Sequence, residues 1–378
     1  MHFHSLAIQR ITPEAAGAVA ICFAVPPTLR TAFAFAPGQF LTVRATVAGS
    51  DLRRSYSICS TRSRYARTGE LEVGIRAVEG GMFSNWAATQ LRVGDTLQVM
   101  PPEGRFGSRR ARALHRVGFA AGSGITPILS IMASSLEEQA NSKFTLVYGN
   151  RNMVSVMFNE ALQDLKDRYP QRLTLVHVLS RQAQEVQLLE GRIDAAKVQA
   201  LLATLLPAAS MDEVFICGPE AMIESTQAAL LAAGVPATQV HAERFASGPA
   251  SAPQSAPVSL QNATKSEASY SQSMRLASQF ASEKSAPIAL HIQLDGKTHS
   301  LQMQAQEHVL DAALAAGLDL PYACEGGVCC TCRAKLLEGQ VHMEKNFTLE
   351  EWEVEKGFVL TCQARALTDK LVLSFDER

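Results

Sequence analysis

The chain has 378 residues, of which 47% are hydrophobic and 19% charged, with 35 Lys+Arg against 36 Asp+Glu for a formal net charge of -1. So even a balance argues against a polybasic nucleic-acid binder, and the apolar share is too high for a disordered chain; the length suits two or three domains, each with its own core. The N-terminus, MHFHSLAIQRITPEAAG, has no basic stretch followed by an apolar one, and nowhere do about 18 apolar residues run uninterrupted, so a cytoplasmic protein with no membrane span is expected.

The first hundred or so residues alternate apolar and polar at period two, as in FLTVRATV (40–47) and ELEVGIRAV (70–78), with Gly and Pro between the runs. That pattern predicts an antiparallel barrel or sandwich over 1–110. Within it, Arg54-Ser55-Tyr56-Ser57 follows a predicted strand, and Gly80-Gly81-Met82-Phe83-Ser84-Asn85 follows another. Arg suits a pyrophosphate, Tyr can stack on a flavin, a Ser hydroxyl can reach a flavin ring nitrogen, and a Gly pair opening a helix offers backbone N–H groups to phosphate. Each motif alone also reads as ordinary strand or turn.

From Arg116 the texture changes. VGFAAGSGITPILSIMASSL is an apolar run, a Gly-rich turn and a helical pattern, and apolar runs recur at FTLVYGN (144–150), RLTLVHVLS (172–180) and EVFICGP (213–219). Strand and helix in alternation over 111–245 predict a parallel sheet with crossover helices. Gly122-Ser123-Gly124-Ile125-Thr126-Pro127 lies between strand and helix, where glycine permits close approach of a pyrophosphate and Pro127 is tolerated in the first turn. Cys217-Gly218-Pro219 ends a later strand ahead of an apolar helix near Met222, and His241-Ala242-Glu243-Arg244-Phe245 closes the module.

Residues 246–287 hold nine Ala, eleven Ser and four Pro with almost no apolar periodicity, so ordering them costs more entropy than their side chains return, and a flexible linker is expected. Beyond it, IALHIQLDGKTHSLQMQ predicts a hairpin turning at Asp295-Gly296, and HVLDAALAAG a helix ending at Gly317. Residues 288–378 carry a net charge of -6 and the remainder +5. The spacing Cys324-x4-Cys329-x2-Cys332, with Cys362 thirty positions later, is that of a plant-type [2Fe–2S] centre, whereas four-cysteine zinc sites favour two short paired spacings. Cys330 is left as a small filler, with ligand exchange or redox sensing as the minority reading.

Together with Pro37-Gly38-Gln39-Phe40, these motifs resemble the ferredoxin-NADP reductase superfamily with a C-terminal plant-type ferredoxin domain. RRSYSICS, GGMFSNW, AAGSGITP, FICGPEAMI, HAERF and LPYACEGGVC resemble, more closely, the reductase subunits of phenylacetyl-CoA 1,2-epoxidase complexes. The resemblance implies a multidomain fold: an antiparallel β-barrel flavin domain, an α/β nucleotide domain with a parallel sheet, and an α+β, β-grasp-like ferredoxin domain over 288–378. It implies that Arg54, Tyr56, Ser57, Gly81, Met82, Ser84 and Asn85 hold FAD, and that Gly122, Ser123, Gly124, Thr126, Pro127, Gly218, Pro219 and Met222 hold the nucleotide. Ser57, Cys217 and Phe245 would frame hydride transfer, with Phe245 covering the flavin. Arg151, Ser180 and Arg181 favour NADPH over NADH through its 2′-phosphate. Electrons would then pass through FAD and the [2Fe–2S] cluster to di-iron oxygenase subunits. A reductase for another oxygenase or a small acceptor is the alternative within enzymes, and a redox-sensing module is the alternative outside them.

Overall fold

Period-two alternation builds six strands in the first hundred residues: β1 (His4–Pro13), β2 (Ala18–Ala24), β3 (Phe40–Val47), β4 (Ser50–Ser57), β5 (Glu70–Arg76) and β6 (Thr96–Val99). The computed structural model describes residues 2–15, 17–107, 114–245, 258–259 and 287–377. The six strands form one antiparallel sheet in the order β4-β3-β6-β1-β2-β5. Its two ends meet, because Ile58 bridges to Val73 and the Cys59 N–H donates to the Glu72 carbonyl at 2.8 Å, so the sheet curls into a barrel. Alternate residues such as Leu6, Ile8, Ile21, Phe23, Leu41 and Val73 fill it, joined by Phe83 and Ala87 from α2 (Met82–Thr89). A shorter helix, α1 (Arg62–Thr68), starts at a Thr61 cap whose hydroxyl accepts from the Arg64 N–H.

The second half of this unit is a five-stranded parallel sheet of β7 (His115–Ala121), β8 (Lys143–Asn150), β9 (Leu173–Leu179), β10 (Glu213–Cys217) and β11 (Val240–Glu243). The order is β11-β10-β7-β8-β9. Helices α3 (Ile125–Glu138) and α4 (Asn159–Arg168) bury one face, and α5 (Ala195–Thr204) and α6 (Glu220–Ala232) the other. The chain builds outward from β7 through β8 to β9, then returns to place β10 on the opposite side of β7. The crevice beyond the carboxyl ends of β7 and β10 is therefore the switch point at which open α/β sheets bind ligands. Barrel and sheet share one apolar cluster, in which Ala15, Ala18, Ala20 and Cys59 of the barrel side pack with Ile128, Met132, Met157 and Phe158. Two units divide the chain, Met1–Phe245 and Ala246–Arg378.

Of the expected linker, Val258–Ser259 and Pro287 are described, and the rest lies outside the described residues. Val258–Ser259 forms a short strand, β12, antiparallel to Val341 and Gln340. The hairpin follows as β13 (Ile288–Leu294) and β14 (Lys297–Met303), turning at Asp295 and Gly296 with φ of 50° and 72°, the left-handed pair a tight hairpin needs. Next come α7 (Val309–Ala315), β15 (Arg333–Glu338), β16 (Gln340–Met343), α8 (Glu351–Glu355), β17 (Phe358–Leu360), β18 (Ala364–Ala366) and β19 (Lys370–Ser374). A mixed sheet in the order β14-β13-β19-β15-β17, with β13 and β19 parallel, packs against α7 through Val309, Leu310 and Ala313, as a β-grasp-like domain requires.

Candidate functional site

At the switch point the turn after β7 and the turn after β10 come into contact. Gly122–Gly124 forms a short 3-10 turn that runs straight into α3. A Cβ on Gly124 would lie 2.1 Å from the Cys217 carbonyl oxygen, so glycine is required for the two turns to touch. Thr126, 2% exposed, donates its hydroxyl to the Ser123 carbonyl at 3.0 Å, and Tyr148 at the end of β8 donates to the Gly122 carbonyl at 2.8 Å. The turn is thus pinned from both sides, with α3 beginning immediately after it. Pro127 sits in the first turn of α3, where no N–H is needed.

The barrel reaches this crevice through the end of β4. Ser57, 4% exposed, donates its hydroxyl to Glu243 Oε2 at 3.2 Å, and Glu243 is the parallel-sheet partner of Cys217. Burial pushes the Glu243 carboxyl up to about 8, with the Ser57 hydrogen bond opposing the shift. Burial likewise raises the Cys217 thiol well above its ordinary range, helped by the neighbouring Glu243. At neutral pH both groups hold their protons. Glu243 lies inside the His241–Phe245 run that carries the resemblance, but the resemblance assigns a role at the site only to Phe245 of that run. Phe245 follows β11 and is 36% exposed.

Tyr56 packs beside Phe83 with ring centroids 5.7 Å apart, and burial raises its phenol. Arg54 lies on the exposed side of β4, with Nη1 donating to the Arg53 carbonyl at 2.6 Å. The first turn of α2 has Gly81 at its cap position with no side chain capping it; the Gly81 N–H donates to the Val78 carbonyl at 3.0 Å, so the amides from Met82 on are those an anion could reach. Ser84 and Asn85 act on the loop itself: Ser84 Oγ accepts from the Val78 N–H at 3.3 Å, and Asn85 Nδ2 donates to the Val78 and Gly81 carbonyls at 2.8 and 2.7 Å. Met82 is exposed. Pro219 is the cap residue of α6, whereas Met222 is buried, its methyl only 2.6 Å from where a Gly218 Cβ would stand, so it supports the turn from below. Arg151 and Arg181 are exposed and joined by an Arg181 N–H to Arg151 carbonyl bond of 2.8 Å, with the Ser180 hydroxyl turned onto the Asn150 carbonyl at 3.3 Å.

In the other unit the four cysteines of the motif are drawn together. Cys324 and Cys329 hydrogen-bond side chain to side chain, as do Cys332 and Cys362. Two thiol pairs suit two metal centres with two thiolates each. Among the described residues no group of three or more His, Cys, Asp or Glu side chains is already placed to hold a metal ion. The Cys329 contact and the Gly326, Val328 and Cys329 amides draw the Cys324 thiol below its ordinary range, whereas the paired thiol and burial push Cys329 and Cys332 well above theirs. The Gly326 N–H lies 3.3 Å from Cys324 Sγ. Glu325 and Cys330 adopt φ of 51° and 58°, turning the loop around the four sulfurs. Thr361 donates its hydroxyl to the Cys332 carbonyl at 2.9 Å, and Gln363 donates to the Glu325 carbonyl at 3.0 Å, so the flanks of Cys362 tie it to the loop. The Cys330 sulfur lies 3.1 Å from the Thr348 hydroxyl.

Three family models match in the order of these domains: an oxidoreductase FAD-binding domain over residues 15–107, an oxidoreductase NAD-binding domain over 119–228, and a 2Fe-2S iron-sulfur cluster binding domain over 292–367. The fold is that of phthalate dioxygenase reductase, at TM-score 0.57 and 21% identity over 99% of this chain and 98% of that one. The molecule is therefore a flavin- and nicotinamide-dependent oxidoreductase with its own [2Fe–2S] domain. It is 43% identical to one of the subunits of the 1,2-phenylacetyl-CoA epoxidase of Escherichia coli K12, over 100% of this chain and 98% of that protein. It is 35% identical to the ferredoxin reductase component of the 3-ketosteroid-9-alpha-monooxygenase of Rhodococcus rhodochrous, over 98% and 96%. The chain belongs to this family of oxygenase reductase components. Among the described residues no helix is long and apolar enough to cross a membrane.

Proposed function

We propose that this protein is the cytoplasmic, NADPH-dependent reductase of a di-iron oxygenase that epoxidises the ring of phenylacetyl-CoA. The convergence of Ser57, Cys217 and Glu243 beside the Gly122–Gly124 turn carries the electron-transfer reading, because it joins a flavin-type barrel to the switch point of a nucleotide sheet. The choice of phenylacetyl-CoA rests on the 43% identity to the Escherichia coli epoxidase component. When bound, the nicotinamide supplies two electrons and a proton as hydride, the flavin passes electrons on singly, and the [2Fe–2S] centre carries them one at a time.

The protein's part is placement and proton control. Arg54 and the amides of the first turn of α2, from Met82 on, would hold the flavin pyrophosphate, with Gly81 leading the chain into that turn and Tyr56 placed to pack against the ring system. Ser84 and Asn85 hold the shape of that loop. The α3 N-terminus after Gly122–Ser123–Gly124 would take the nucleotide pyrophosphate, with Thr126 and Pro127 fixing the turn and Gly218 and Pro219 bounding the nicotinamide. Ser57 and the protonated Glu243 would hold a proton at the flavin edge facing Cys217. Phe245, partly exposed after β11, would move aside as the nicotinamide enters. Arg151 and Arg181, held side by side with Ser180, would pair with a 2′-phosphate. In the ferredoxin domain, taken as 288–378, Cys324, Cys329, Cys332 and Cys362 would ligate the cluster.

Reconstitution with di-iron epoxidase subunits and phenylacetyl-CoA tests the whole reading: product formation that needs this chain is expected. Robust NADPH–cytochrome c activity without epoxide would discard the acceptor and keep the electron path. For the coenzyme, Arg181→Gln should raise KM for NADPH about tenfold while leaving NADH kinetics in place, since one charge-assisted phosphate contact is lost.

A further inference from the structure

Among the polar bridges between the barrel and the nucleotide domain is one far along the chain from the Ser57 contact. The β1–β2 hairpin turns tightly, its Glu14 N–H donating to the Ala18 carbonyl at 3.0 Å, and this leaves the Glu14 carboxylate facing the other domain. Glu14 Oε2 accepts from the Phe158 N–H at 2.7 Å. Phe158 precedes α4 with φ 58° and ψ 29°, a left-handed conformation that a bulky residue adopts only when its surroundings impose it. Phe158, the cap residue of α4, offers no capping side chain of its own, and the carboxylate takes up its N–H, one of the donors the helix start leaves over, across 144 residues of sequence.

The consequence is felt at the nucleotide turn. Phe158 is 4% exposed, and its ring edge and the Thr126 methyl both lie over Gly74 of β5: a Cβ on Gly74 would come within 2.9 Å of the ring and 2.7 Å of the methyl. Thr126 belongs to the turn that would hold the nucleotide, through its 3.0 Å bond to the Ser123 carbonyl. The same segment is held a second time, where Arg76 of β5 donates to the Ser155 carbonyl at 2.8 Å. Val156 and Met157, between the two anchors, are buried in the core shared with Ala15 and Ala18.

We propose that Glu14 is a positioning residue for hydride transfer: by holding Phe158 in its left-handed conformation it seats the Phe158 ring and Thr126 on Gly74, and so fixes how closely the nucleotide turn approaches the flavin strands. This rests on the flavin and nicotinamide meeting near Ser57 and Cys217. Burial, with Glu72 and Glu160 nearby, raises the Glu14 carboxyl, and what the Phe158 N–H requires is an acceptor oxygen at the same reach. Gln supplies that acceptor; Ala supplies none, and Asp falls one carbon–carbon bond short.

The test is single-turnover bleaching of the flavin by saturating NADPH in the FAD-loaded full chain, with KM and melting temperature recorded for Glu14→Gln, Glu14→Asp and Glu14→Ala. Displacement of the turn by a fraction of an ångström should slow the limiting rate about tenfold in Glu14→Ala, less in Glu14→Asp, with KM within about twofold. Glu14→Gln should stay within about twofold of the parent rate. The proposal is overturned if Glu14→Ala and Glu14→Asp keep the parent rate, if the change falls on KM alone, or if Glu14→Gln is as slow as Glu14→Ala. Should Glu14→Ala fail to fold, the Asp-to-Gln contrast decides in the same way. A parent chain whose flavin is not bleached by either nicotinamide nucleotide overturns the site reading along with this proposal; a bleached parent with indifferent variants overturns this proposal alone.

Discussion

In the C-terminal unit three of the four thiols come from the nine residues 324–332, and the fourth is tied to that loop by its own neighbours Thr361 and Gln363. In the N-terminal unit Ser57 and Glu243 stand 186 residues apart and meet only because a barrel and a parallel sheet share a core. A loop-built site carries its geometry in local backbone bends, whereas an assembled site carries it in the packing of whole domains. The two should therefore fail differently. Damage to the loop removes one cofactor, and damage to the seam between domains slows a step while both cofactors stay bound.

The sharpest separation of the two is Cys329→Ser. Loss of one thiolate should remove the cluster's visible absorption and iron and cut NADPH–cytochrome c activity at least about a hundredfold, with NADPH–ferricyanide activity within about twofold of the parent. Equal loss of both activities would show that the units are not separable in this way. At the assembled site, Gly124→Ala forces a methyl against the Cys217 carbonyl. The two turns must part, so flavin reduction should slow about thirtyfold and stability fall by about 1–3 kcal/mol, read from stopped-flow traces and melting curves.

A smaller effect is expected from Glu243→Gln. Because the carboxyl of Glu243 is raised to about 8, it is protonated at pH 7 and loses its proton as pH climbs through that value. The parent flavin-reduction rate should fall about tenfold across that limb, and the Gln variant, which has no proton to lose there, should give a flat profile. A parent profile flat from pH 6 to 9 would remove Glu243 from proton control. The smallest effect belongs to Cys330→Ser. Its sulfur sits 3.1 Å from the Thr348 hydroxyl, which Ser can also reach, so the absorption spectrum and cluster content should be unchanged; a shifted spectrum would make Cys330 a ligand.

The barrel, the parallel sheet and the hairpin at Asp295-Gly296 were legible in the sequence because each follows from a repeat of two, a strand–helix alternation, or a turn dipeptide with one low-energy geometry. The side chains of Ser84, Asn85 and Met222 were harder to assign. All three lie in ligand-type motifs, yet Ser84 and Asn85 satisfy the carbonyls and amides of their own loop and Met222 fills the space under Gly218. A motif records which residues accompany a ligand and does not separate those that touch it from those that shape the turn.

By itself the sequence determined the order of the three folds and which four cysteines to look for together, since strand period and glycine turns act over fewer than a dozen residues and three of those four cysteines fall within nine. Only the tertiary structure decided that Glu243 faces Ser57, that Glu14 takes up an N–H at the start of a helix of the neighbouring domain, and that Phe158 is held left-handed. Those contacts arise where two independently patterned cores share one apolar seam. Which polar groups are buried there, and whose pKa values shift, depends on how the cores dock, and no local periodicity encodes that docking.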